Sequence, residues 1–154
     1  MQALINFEKK QAPKKLTILR LVVGAIFIVH GLAKFGMWEM SPSADMPVAM
    51  LWIFRILSIV EPVAGVAMVL GLFVPVVGLI FTVIMLGAIP TQIFMFQAEF
   101  AGGWAYELLI LASALVLAAH GGGAWSLDDM MKKNKSAAPK PMDSSSGINQ
   151  GQGM

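Results

Sequence analysis

The 154-residue chain reads as an all-α integral membrane protein, a four-helix bundle with both termini in the cytoplasm. Three observations lead there. Hydrophobic residues make up 57% and charged residues 13%, against roughly 45–50% and 25% in soluble domains. Mean hydropathy is +0.74. A soluble domain of this size cannot hide so much apolar surface, and disorder needs the opposite composition. Four apolar segments each approach the roughly 20 residues that cross a bilayer core of about 30 Å. None alternates as a barrel strand does. Finally, lysines gather at the two ends of the chain and are almost absent between them.

The first span is expected over residues 16–35. Lys9, Lys10, Lys14 and Lys15 precede it, as in a signal peptide. Its apolar run is too long for that, and no small-x-small cleavage site follows, so it is retained. Leu4, Ile5 and Phe7 suit a short amphipathic anchor on the membrane surface. At about 100° per residue, Arg20, His30 and Lys34 share one side of this helix with Gly24 and Gly31. That side is polar and small, suited to packing against another helix.

A loop over 36–48 follows, with a turn at Ser41-Pro42-Ser43 and with Glu39 and Asp45. The second span covers 49–70 and carries Arg55 and Glu61. Pro62 cannot donate an amide hydrogen, which frees the Ser58 carbonyl four residues back. A carbonyl, a hydroxyl and a carboxyl near the bilayer centre predict a polar pocket or kink. A very short turn over 71–74 leads to the third span, 75–96, with Pro75 at its first position. Pro90 frees the Leu86 carbonyl near Thr91 and Gln92. A loop with Glu99, Gly102 and Gly103 precedes the fourth span, 104–120, which holds Glu107 and ends at His120. Gly121, Gly122 and Gly123 stop it. Ser126 then caps a short surface helix with Asp128 and Asp129 in its first turn.

An even number of spans puts both tails on one side. Both tails carry Lys while the first and third connections carry none, so the positive-inside rule makes that side cytoplasmic. Trp38, Trp52 and Trp104 fall near the outer boundary and Trp125 near the inner one, as an aromatic belt requires. The chain divides into a basic cytoplasmic segment, 1–15, a membrane domain, 16–130, and a cytoplasmic tail, 131–154. The tail is Lys, Ser, Gly, Pro, Gln and Asn, too polar to bury a core, and is expected to be disordered.

Composition also excludes chemistry. Without cysteine there are no disulfides, iron–sulfur clusters, thiolate metal sites or covalent haem. His30 and His120 sit at opposite ends of the bundle, so one protomer cannot bring both to one haem iron. The outer-loop thioethers Met37, Met40, Met46 and Met50 suit cuprous copper, but methionine equally fills apolar gaps, and no metal site is expected. The basic residues flank apolar spans and form no nucleic-acid face.

Charges inside a span cost about 2.5–3.5 kcal/mol each on insertion scales, so they mark function by default. By helix rise, Arg20 lies about 6 Å inside the cytoplasmic boundary, and His30, Arg55 and Glu107 about 5–9 Å inside the outer one. Lys34 is at the outer edge and Glu61 near the midplane. Glu107 is expected to pair with Arg55 or Lys34. Glu61 needs Arg20 from below, or must stay protonated. Glu61, Glu107 and His30 are the candidate proton-handling, catalytic residues; Arg20, Lys34 and Arg55 are the candidate substrate-binding ones. The competing account is an ion-pair network that only fixes helix register.

The ordered set of residues resembles the DoxX family. Leu19-Arg20-Leu21-Val22-Val23-Gly24 through His30-Gly31-Leu32-Ala33-Lys34-Phe35 is similar to that family's opening helix. Glu61 and the run to Leu70-Gly71-Leu72 resemble its second helix, and Gly121-Gly122-Gly123-Ala124-Trp125-Ser126-Leu127-Asp128 its closing segment. The likeness covers about residues 16–130 and misses both tails. It implies a multi-pass protein of the bacterial inner membrane associated with quinone-linked redox or redox-stress systems, since relatives include the membrane subunit of thiosulfate:quinone oxidoreductase. Arg20, His30, Lys34, Glu61 and Glu107 are the matching polar positions. The implied cofactor is a quinone, and the implied partners, besides the lipid bilayer, are other redox membrane proteins or a second copy of the chain. If enzymatic, the chain is the membrane component of a quinone-linked oxidoreductase. Two alternatives remain open: a non-catalytic scaffold or accessory subunit of a larger complex, and a small-solute transporter. The second is weakened by having four spans and no evident inverted repeat.

Overall fold

The computed structural model describes residues 2–44 and 46–136, with side chains placed at 14–44 and 46–131. Among these residues the secondary structure is helical throughout. Helix α1 is Gln2–Ala33, followed by one short 3-10 turn, Lys34–Trp38. Helix α2 is Val48–Leu70, α3 is Val74–Phe94, α4 is Ala105–His120 and α5 is Leu127–Ser136. Four stretches are long and apolar enough to cross a membrane: Lys14–Trp38, Val48–Leu70, Val74–Phe94 and Phe100–His120. They agree with the four expected spans to within a few residues. Of the tail expected to be disordered, 131–154, residues 131–136 belong to α5; the rest of it, and the expected surface contacts of Leu4, Ile5 and Phe7, lie outside the described residues and side chains.

The helices pack mainly as two antiparallel pairs, α1 with α2 and α3 with α4. Small residues set both contacts. A side chain at Gly24 would strike the Gly65 carbonyl, and one at Gly65 the Gly24 carbonyl. One at Gly31 would run into the ring of Pro62. Gly78 stands in the same relation to the backbone of Ala114 and Ala118 across the other pair. In a membrane, lipid tails are as apolar as leucine, so this close fit and its dispersion energy hold helices together. The small face read from α1 is therefore the face that meets α2. Between the pairs lies a core centred on Phe27 and Phe81, both buried, whose rings stack with centroids 3.5 Å apart at 6°.

The end of the bundle that holds residues 14–20 is closed by polar contacts. Arg20, buried in α1, donates from Nη1 to the Gly122 carbonyl at 3.0 Å. Thr17 Oγ1 donates to the Ala124 carbonyl at 2.6 Å. Ser126 Oγ accepts the Asp129 amide at 3.2 Å, the cap expected for α5. Asp128 does more than favour its own helix. Its carboxylate accepts the amides of Phe73 and Val74 at 3.0 and 3.1 Å and so caps α3, where Phe73 sits at φ +48. The segment after α4 thereby ties α1, the turn at Gly71 and the start of α3 together. At the opposite end a cavity opens between the two pairs.

Candidate functional site

The cavity has a volume of about 520 Å³, within the range of small-molecule sites. All four spans contribute to it. His30 ends the α1 stripe, and Lys34 follows on the 3-10 turn. Glu61 comes from the middle of α2, Gln92 from α3 beyond Pro90, and Tyr106 and Glu107 from the first turn of α4. Most of the remaining wall is apolar, with Phe54, Leu57, Ile84 and Met85 among its residues. Helical spacing explains the α2 share: Ile53, Phe54, Leu57 and Glu61 fall on one face at intervals of three and four.

Lys34 Nζ donates to Glu61 Oε2 at 2.5 Å, and Glu61 is 1% exposed. Lys34 also reaches the His30 carbonyl at 3.5 Å. Gln92 Nε2 donates to Glu107 Oε1 at 3.0 Å. The other Glu107 oxygen, Oε2, is buried and has no hydrogen-bond partner; among the described side chains only Arg20 Nε shares that condition. Across the gap between α1 and α4 the rings of His30 and Tyr106 approach to 5.6 Å.

The structure brings together four of the six residues singled out from sequence: His30, Lys34, Glu61 and Glu107. It pairs them differently from expectation. Lys34 goes to Glu61, and Glu107 takes an amide, Gln92, in place of a cation. Arg20 does not reach up to Glu61. It is held at the far end by the Gly122 carbonyl, because its short distance from the closing segment wins over a climb through the core. Arg55 turns outward as well. Its guanidinium donates to the Met37 and Met40 carbonyls at 3.1 and 3.0 Å and lies 5.7 and 5.2 Å from the ring centres of Trp38 and Trp52. Neither arginine lines the cavity. Ser58 is buried, but its hydroxyl serves the Arg55 carbonyl and the Trp38 indole, not Glu61. The pocket near Glu61 is real; its other polar members come from neighbouring helices.

Sequence reading missed Tyr106 altogether. The signal was available, since Tyr106 adjoins Glu107 and is the single tyrosine of the chain. Gln92 was noticed only as a neighbour of Pro90. Among the described residues no group of three or more His, Asp or Glu side chains is placed to hold a metal ion.

The charges of the cavity follow from these pairings. Lys34 and Glu61 neutralise one another at short range. With both arginines elsewhere, no unpaired lysine or arginine among the described residues faces the space. A carbonyl- or hydroxyl-bearing neutral molecule suits it better than an anion. Glu107 Oε2 can accept a hydroxyl hydrogen, or donate when it carries the proton.

The chain is similar in sequence to known proteins. A family model, DoxX, matches residues 15–98. A Bacillus subtilis (strain 168) protein named "Putative oxidoreductase CatD" is 32% identical over 122 residues, covering 77% of this chain and 87% of that protein. No solved structure matches the chain.

Proposed function

The chain belongs to the DoxX family of membrane proteins, and from its intramembrane cavity we propose that it is the quinone-binding component of a redox system in a bacterial inner membrane. One observation carries the proposal. Polar side chains from four spans converge on a single, otherwise apolar space, and one of them presents a buried oxygen with no partner. An unmet buried acceptor costs about 1–3 kcal/mol, so a site that keeps one is built to be completed by a ligand. The name carried by the Bacillus subtilis relative points to the same class of chemistry.

In this reading a quinone or quinol head lies between Tyr106, Glu107 and His30. Reduction of a quinone takes up two electrons and two protons, and the electrons are exchanged with a partner redox protein. The chain's own residues orient the head and move protons. Glu107 Oε2 accepts from a quinol hydroxyl or donates to a carbonyl, and Gln92 fixes its other oxygen. His30 lies on the exposed side of α1 and exchanges protons with the Tyr106 side of the cavity. The Lys34–Glu61 pair holds a neutral, dry wall and supplies a second proton donor and acceptor at short range. Lysines at both chain ends support a cytoplasmic location for the two termini by the positive-inside rule; in that orientation the cavity lies in the outer half of the bilayer.

The test is equilibrium binding of a decyl-substituted benzoquinone to the purified protein in nanodiscs. Wild type binds. Glu107→Gln, which keeps shape and the Gln92 contact within reach, weakens binding about tenfold, the loss of one good hydrogen bond, without lowering thermal stability. A wild-type protein that takes up no quinone overturns the proposal.

A further inference from the structure

Resting on the quinone reading above, we infer that the ligand enters sideways from the lipid, between α2 and α3, and that Gly87 is the residue that keeps this door open. The two sides of the cavity differ. Between α1 and α4, the His30 and Tyr106 rings are exposed on their outer side, but they stand 5.6 Å apart and obstruct the way between the helices. Between α2 and α3, joined by a short turn at the far end, no aromatic or polar pair links the two helices across the opening among the described residues. The lining there is Ile53 on α2 and Val83 and Gly87 on α3. Ile53 is 51% and Val83 69% exposed, although both also line the cavity. These residues border the interior space and the lipid at once.

Gly87 is the telling position. Unlike Gly24, Gly31, Gly65 and Gly78, it is not needed for helix contact: a Cβ there would meet nothing within 4 Å. Glycine inside a helix costs roughly 1 kcal/mol relative to alanine, and packing does not explain it. Val83 and Gly87 are one turn apart on the same face, so the missing side chain leaves the α3 wall of the cavity open one turn beyond Val83. His30, Lys34, Tyr106 and Glu107 stand on the α1 and α4 side of the cavity, and Glu61 and Gln92 reach them from α2 and α3. This order fits a ligand that arrives head first from the bilayer and leaves an apolar tail between α2 and α3. A tail gains little affinity there, because lipid is equally apolar; what the opening governs is the route and the rate.

Stopped-flow loading of the full protein in liposomes carrying a long-chain quinone tests this. Gly87→Phe places a ring in the opening and is expected to slow loading at least about tenfold, as an obstructed approach does. Leu86→Phe puts the same ring on the lipid face one residue away, since Leu86 is 57% exposed and does not line the cavity; it loads at the wild-type rate. Equal rates for wild type and Gly87→Phe, or equal slowing by both variants, overturn the lateral door while leaving quinone binding intact. A wild type that never loads removes the quinone reading itself. As an independent measurement on the unaltered chain, a quinone with a diazirine on its first tail carbons is expected to label α2 and α3 near Ile53 and Val83. Labels confined to α1 and α4 overturn the door.

Discussion

Lys34 and Glu61, 27 residues apart, meet at 2.5 Å and join the end of α1 to the middle of α2. The carboxylate is almost wholly buried, whereas the lysine side chain is 22% exposed. The pair therefore sits where the cavity grades into the outer edge of the bundle. Two opposite charges taken out of water are tolerated only together, and removing either strands the other.

That coupling is measurable as a cycle. Lys34→Met alone is expected to destabilise by about 3 kcal/mol or more, the cost of an uncompensated buried charge. The double variant Lys34→Met with Glu61→Gln recovers a large part of that loss. Unfolding in graded denaturing detergent reads the four proteins. Strict additivity would mean that the two groups do not interact.

Asp128 caps α3 from another helix, through two amides at 3.0 and 3.1 Å. Asp128→Ala should cost about 1–2 kcal/mol, as the loss of a strong N-cap does. Because this end lies away from the cavity, quinone affinity in the same preparation stays at the wild-type value. A change in affinity comparable to that of Glu107→Gln would contradict the separation of clasp and cavity.

Gly31 and Gly87 should respond oppositely to alanine. Gly31→Ala drives a methyl into the Pro62 ring and is expected to cost about 1–3 kcal/mol, typical of overpacking. Gly87→Ala meets open space and is expected to stabilise by up to about 1 kcal/mol through helix propensity. Melting curves of the two variants decide this, and equal effects would disprove the assigned close approach.

Arg55 bonds two loop carbonyls and lies near two tryptophan rings, outside the cavity. Arg55→Gln should lower stability by about 1–2 kcal/mol, the range for cation–π contacts with partial desolvation. Tryptophan fluorescence shifts as Trp38 and Trp52 lose their cation. The proposed quinone binding is expected to be unchanged in this variant; its loss would move Arg55 back into the site.

The number of spans, their approximate limits, the helix stops and the Ser126 cap were legible in the amino-acid order alone. These depend on neighbours within a few residues: apolar runs long enough for the bilayer, glycines where the chain reverses, a hydroxyl before a first turn. It also marked His30, Lys34, Glu61 and Glu107, because a charge at membrane depth is costly wherever the rest of the chain lies. Which side chains meet was settled by the packing of the helices. Lys34 found Glu61, Glu107 found Gln92, and Arg20 and Arg55 turned to carbonyls at opposite ends of the bundle. Partner choice depends on the rotation and tilt of each helix about its neighbours. Contacts at Gly24, Gly31, Gly65 and Gly78 fix those angles jointly, and no local pattern in one span encodes the face that another will present.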